Sequence, residues 1–145
     1  MTMRKCISQF NDQGFIGGGS MAVSRNNEHI ATGSTSGIVN FYTAQACMSS
    51  SNPDPVKVID NLATPISLLK FNHDGQILAM GSKYKKDAFK LFHVPSRKVF
   101  ANWPTANTPL GYVSAVDFSP SGGYLAIGND KGKVLLYKLN AYGRY

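Results

Sequence analysis

A chain of 145 residues with 43% apolar, 11% aromatic and 16% charged side chains can pack a core, which excludes wholesale disorder. Fifteen Lys and Arg against eight Asp and Glu leave +7 at neutral pH, a surplus that suits an acidic partner such as RNA. Two cysteines, Cys6 and Cys47, are too few for a disulfide scaffold or a zinc set, and apolar runs of four or five residues fall far short of the about twenty that a membrane-spanning helix needs.

In chain order, Arg4-Lys5-Cys6-Ile7-Ser8 reads as a first strand, and no apolar run of seven or more follows it as a leader peptide would require. Gly17-Gly18-Gly19-Ser20 then leads into Met21-Ala22-Val23, a strand pattern, so it is a turn rather than a phosphate loop at a helix N-terminus. Three segments of one grammar follow. The first runs from Ala22-Val23-Ser24 through a turn at Asn26-Asn27, then His29-Ile30-Ala31-Thr32-Gly33, then Ile38-Val39-Asn40-Phe41-Tyr42. The second has Leu69-Lys70-Phe71, a turn at Asp74-Gly75, Ile77-Leu78-Ala79-Met80-Gly81, and Ala88-Phe89-Lys90-Leu91-Phe92. The third has Val116-Asp117-Phe118, a turn at Ser121-Gly122, Tyr124-Leu125-Ala126-Ile127-Gly128, and Val134-Leu135-Leu136-Tyr137. Short β-rich runs bounded by Asn, Asp, Gly and Pro are strands joined by tight turns. A fourth strand is expected between units, at Val56-Lys57-Val58-Ile59 and at Lys98-Val99-Phe100-Ala101.

Gly33, Gly81 and Gly128 hold the same place in each unit, and their numbers differ by 48 and 47. Four short strands repeated at that period describe propeller blades. The expected fold is therefore all-β, an open partial propeller of about three four-stranded blades over residues 18–60, 66–103 and 113–139. Residues 4–10 would supply the outer strand of a preceding blade. The third unit stops near Leu139-Asn140-Ala141, before an outermost strand of its own. Tyr42, Phe92 and Tyr137 end the third strand of each unit in the same phase, and are the expected blade-core aromatics.

The stretch Phe118-Ser119-Pro120-Ser121-Gly122-Gly123-Tyr124-Leu125-Ala126-Ile127-Gly128, with the hairpin Asp130-Lys131-Gly132 after it, resembles the WD repeat. Tyr42, Phe92 and Tyr137 replace the strand-ending Trp of that pattern, and no Gly-His dipeptide occurs. The side-chain network of strong WD blades is thus expected to be missing or partial. Gly37-Ile38-Val39-Asn40-Phe41-Tyr42, the loop Asn52-Pro53-Asp54-Pro55-Val56-Lys57, the segment Asn61-Leu62-Ala63-Thr64-Pro65-Ile66-Ser67-Leu68 and the run from Gly128 to Tyr137 resemble, more narrowly, the family of small nucleolar RNA-associated protein 18. The resemblance implies a WD-repeat scaffold, not an enzyme, in the nucleolar small-subunit processome that processes ribosomal RNA. The partners it implies are other processome proteins and pre-ribosomal or small nucleolar RNA, with no membrane, no small-molecule substrate and no cofactor. A WD-repeat adaptor of another protein complex is the alternative.

The residues themselves offer little catalytic chemistry. His29, His73 and His93 stand at no metal-ligand spacing from a cysteine. Gly128 to Lys133 lacks both the spacing and the Ser/Thr of a P-loop. Cys6 and Cys47 read as small strand or loop residues, and the carboxylates mostly as turn residues. The basic residues say more. Gly81 to Phe92 takes eleven steps where the other two units take nine, and the added length carries Lys83-Tyr84-Lys85-Lys86. Three lysines and a tyrosine on one loop can meet RNA phosphates and stack on a base, or can keep a sheet edge soluble. Arg97-Lys98 and Lys131/Lys133 fall on other turns.

Overall fold

Each strand-and-turn unit closes into its own antiparallel meander in the computed structural model, which describes Gln9, Asp12, residues 19–60, Leu62, residues 64–100, Trp103, residues 110–120 and residues 123–139. The first sheet joins β1 (Ser20–Val23), β2 (His29–Gly33), β3 (Val39–Thr43) and β4 (Lys57–Ile59) in that order. The second joins β5 (Leu68–Phe71), β6 (Ile77–Gly81), β7 (Phe89–His93) and β8 (Lys98–Val99). Among the described residues the third has three strands, β9 (Val113–Phe118), β10 (Tyr124–Asn129) and β11 (Val134–Lys138). The segment Arg4-Lys5-Cys6-Ile7-Ser8 lies outside the described residues.

One device starts every unit. Ser24, Asn72 and Ser119 stand nine residues before the repeat glycine. Each bonds by its backbone N–H to the carbonyl five residues on: His29 at 3.0 Å, Ile77 at 2.8 Å and Tyr124 at 2.9 Å. Their side chains accept the N–H of that same residue, at 3.0, 2.9 and 3.0 Å. A short polar side chain thereby replaces the ladder bonds that the turn interrupts. Register then repeats as well: Ile30 pairs with Tyr42, Leu78 with Phe92 and Leu125 with Tyr137.

The sheets stack face to face through their first strands, β5 contacting both β1 and β9, and form an open arc. Side-chain alternation along each strand sends successive residues to opposite neighbours. Val39 and Phe41 of β3 meet Met80 and Phe92 across the first interface. Phe89 and Leu91 of β7 meet Leu125 and Ile127 across the second. Phe41 and Phe92 lie with ring centroids 5.3 Å apart. Burying each such side chain contributes about 1.5–3 kcal/mol. The connection into the second sheet presses on the first at Gly33: a Cβ there would lie 2.5 Å from Ile66 Cγ2 and 2.6 Å from Ile66 Cβ. No residue larger than glycine fits without moving the strand or Ile66.

Tyr42 and Phe92 are fully buried. Tyr137 is half-buried in the second interface, edge-on to Trp103 at 5.0 Å. All three rings face the N-terminal side of their own sheet.

Two features depart from the sequence reading. Thr43 is followed by α1 (Ala44–Ser49), a helix of six residues whose N-cap is the Thr43 hydroxyl, accepting from Ala46 N–H at 3.3 Å. Ala44, Gln45, Ala46 and Met48 favour helix, but one and a half turns leave too little periodicity to detect. Cys47 is consequently a buried helical residue, not a strand or loop one, and burial, with Asp12 nearby, pushes its thiol pKa up. Two carboxylates act outside the turns. Asp117 is in β9 and pairs with Lys70 Nζ at 3.3 Å. Asp12 Oδ1 accepts from Tyr42 OH at 2.6 Å, Thr32 Oγ1 at 2.8 Å and Asn40 Nδ2 at 3.0 Å. The first sheet therefore has a side-chain network, built on a carboxylate that comes from outside the repeat.

Candidate nucleic-acid interface

In a meander, the turn after the second strand and the connection into the first strand lie at one end of the sheet. For the second sheet the former is residues 82–88, which hold Lys83, Tyr84, Lys85 and Lys86. All four are exposed, Tyr84 by 62%. The loop backbone is tied down: Lys83 N–H donates to Ser67 Oγ at 2.9 Å, Tyr84 N–H to Ser82 Oγ at 3.2 Å, and Ala88 N–H to the Lys85 carbonyl at 3.4 Å. Lys83 Nζ sits 5.3 Å from the centre of the Tyr84 ring, a cation–π distance.

Sequence reasoning placed Lys131 and Lys133 on another turn, and the fold brings that turn to the same end. Residues 130–133 are the corresponding turn of the third sheet, with both lysines exposed and their N–H groups held by Asn129 Oδ1 at 3.1 and 3.2 Å. Residues 110–112, the connection into β9, bridge the two turns. Asp87 N–H donates to the Gly111 carbonyl at 2.7 Å, and Gly111 N–H returns a bond to Asp87 Oδ1 at 2.8 Å. On the other side Asp130 N–H donates to the Tyr112 carbonyl at 3.1 Å, and Asn129 Nδ2 to the Leu110 carbonyl at 3.3 Å. Leu110 is fully buried and anchors the bridge in the second core. Gly111, at φ +71°, makes the reversal that a side chain would strain. Next to it Tyr112 is 41% exposed.

The result is one continuous surface: five lysines, two exposed tyrosines and two carboxylates, of which Asp87 is bonded into the bridge. Arg97 and Lys98 are not part of it. Arg97 ends the turn between β7 and β8, at the opposite end, where Val94 N–H bonds to the Gln76 carbonyl at 2.9 Å. No feature of the sequence alone linked Lys131 and Lys133 to Lys83–Lys86, because the link is made by backbone groups of residues 110–112.

Several polar groups away from this surface pair with one another. At the opposite end, in a cleft of about 400 Å³, Arg25 Nη1 lies 3.2 Å from His73 Nδ1 beside the Lys70–Asp117 pair. His93 Nδ1 is 2.8 Å from Ser96 Oγ. Among the described residues, no three of His, Cys, Asp and Glu are grouped to hold a metal ion, and no helix is long and apolar enough to cross a membrane.

Stacked antiparallel meanders, two of four strands and one of three among the described residues, with their first strands in contact, define a WD-type propeller segment, and residues 105–138 match the family described as WD domain, G-beta repeat. The chain is 48% identical over 151 residues to U3 small nucleolar RNA-associated protein 18 of Saccharomyces cerevisiae, covering 94% of this chain. It is 44% identical over 143 residues, 98% of this chain, to the homologues of that protein in Mus musculus and in Homo sapiens. This chain thus carries a segment of the U3 small nucleolar RNA-associated protein 18 family, and it spans about a quarter of the length of those relatives.

Proposed function

We propose that the chain is a non-catalytic WD-repeat scaffold that works in the nucleolus, in small-subunit processome assembly and ribosomal RNA processing. The observation that carries this is identity of 44–48% over nearly the whole chain to proteins named for association with U3 small nucleolar RNA. The architecture supports it. Propeller blades are rigid and present their end turns to partners, and here one end is strongly basic, with Lys83, Lys85 and Lys86 offered to RNA phosphates. Other processome proteins are the expected neighbours. Among the described residues, apolar side chains stand exposed on both end sheets: Val134 and Leu136 on β11 are 73% and 65% exposed, and Met21 and Val23 on β1 are 65% and 53% exposed.

The test is recovery of RNA with the tagged full-length protein from growing cells. U3 small nucleolar RNA and ribosomal RNA precursor should co-purify, and depletion of the protein should leave precursor unprocessed. Recovery of a stable protein complex free of both RNAs would instead make it an adaptor of another assembly.

A further inference from the structure

We infer that the basic end of the second and third sheets is a track for one unpaired RNA strand, gripped at its phosphates by both lysine turns and stacked on by Tyr84 and Tyr112. The inference rests on the reading of the chain as an RNA-processing scaffold, and adds the strandedness of the RNA and the residues that detect it.

Three observations carry it. The two turns form one surface, because Gly111 and Tyr112 are hydrogen-bonded to Asp87 on one side and Asp130 on the other. A chain crossing from the Lys83–Lys86 turn to the Lys131–Lys133 turn therefore passes over residues 110–112, where Tyr112 stands exposed. The side chains, next, are of the right chemistry. Every cation here is a lysine, a mobile point charge that neutralises phosphate without the planar fork that reads base edges. Contacts of that kind position a backbone with little regard to sequence. Finally, the exposed aromatics discriminate strands. A tyrosine ring stacks only on a base face, and duplex RNA hides its base faces while presenting phosphates and 2′-hydroxyls. Two tyrosines 62% and 41% exposed between lysines thus favour unpaired RNA over a duplex, and over an acidic peptide, which has no use for them. The backbones of both turns are already bonded in place, so binding orders lysine side chains rather than loops.

The experiment measures binding of the purified full-length protein to an unstructured oligouridine of about 12 nucleotides, within the range that single-strand-binding surfaces cover. A duplex of the same length is the comparison, and salt is varied. The single strand should bind more tightly. Replacing Lys83, Lys85 and Lys86 with Ala should reduce the slope of log affinity against log salt by about 2, and replacing Lys131 and Lys133 by about 1.4, at roughly 0.7 per phosphate released. Tyr112→Ala and Tyr84→Ala should each weaken single-strand binding by about 5- to 100-fold with the slope unchanged, and Tyr112→Phe should retain binding. Unaltered melting of each variant establishes that it is folded; a variant that melts early is replaced by Lys→Gln or Tyr→Ser at the same position.

Equal affinity for the duplex, silent tyrosine variants, or a salt slope that ignores Lys131 and Lys133 would each overturn the track. Binding of polyglutamate with no RNA binding would make the partner an acidic protein and overturn the track. If the wild-type protein recovers U3 RNA from cells and the variants recover as much, the track fails while the scaffold reading stands. If the wild-type protein recovers none, the scaffold reading itself fails.

Discussion

The first and second sheets share backbone, register and turn chemistry, yet the faces they turn toward the N-terminal side are held by opposite means. In the second sheet Met80 and Phe92 are fully buried against Phe41 and its neighbours. In the first, the same positions are Thr32 and Tyr42, which with Asn40 converge on Asp12. The difference shows that the repeat specifies a scaffold of strands and turns, while what abuts each face selects its side chains. A face covered by another sheet is apolar because dispersion and water exclusion reward it. A face met by a carboxylate must supply donors, since a buried carboxylate without them is costly. The third sheet extends the contrast: on its outward face Val134 and Leu136 are apolar and exposed.

The comparison can be broken most directly at Phe92. Phe92→Ala empties a fully buried site between two sheets and should lower stability by about 3–5 kcal/mol in denaturant titrations. A loss below about 1 kcal/mol would mean that the interface does not hold the arc together.

Asp12→Ala tests the polar counterpart. It removes three hydrogen bonds to a carboxylate, one of them from the buried Tyr42 hydroxyl, for an expected loss of about 2–3 kcal/mol. Tyr42→Phe should cost less, and the two changes together should cost about 1 kcal/mol or more below their sum, because they remove the same bond. Additive losses would show that Asp12 and Tyr42 do not act as a unit. Asp12→Ala combined with Phe92→Ala, by contrast, should add, since the two side chains serve opposite faces.

A smaller effect sharpens the comparison at the first interface. His29 stacks on Phe41 with centroids 4.8 Å apart, and its Nδ1 is buried with no hydrogen-bond partner. Burial lowers its pKa below 6.5, reinforced by Arg97 and opposed by Glu28. The folded protein therefore binds this proton more weakly than the unfolded chain does. His29 contributes its full stability above pH ~6.5, and that contribution is lost as the pH falls toward the lowered folded value. The melting temperature should drop more between about pH 7.5 and 5.5 in the wild type than in His29→Gln. Equal drops would place the titration elsewhere.

Much of the fold was legible because β-structure with turns is local. Gly33, Gly81 and Gly128 set the period, and the phase of Tyr42, Phe92 and Tyr137 relative to them is also the phase of their cross-strand partners. Ser24, Asn72 and Ser119 cap their turns through residues no more than five positions away. The lysines of residues 83–86 were legible as a loop for the same reason. Helix α1 was not, because six residues carry too little pattern to set against the strand ending at Thr43.

Sequence by itself thus determined the strands, their turns, the repeat and its family, all of which depend on neighbours within a few residues or on similarity along the chain. Tertiary structure alone decided three things. Asp12 became the acceptor for Thr32, Asn40 and Tyr42, 20 to 30 residues away, because the fold lays its carboxylate on the first sheet. Cys47 became buried because a helix turned it inward. Lys131 and Lys133 joined Lys83–Lys86 because residues 110–112 hydrogen-bond to both turns. For Asp12 and for the two lysine turns the deciding interaction joins atoms far apart in sequence, and no periodicity or motif encodes which distant residue will be met when separate sheets stack.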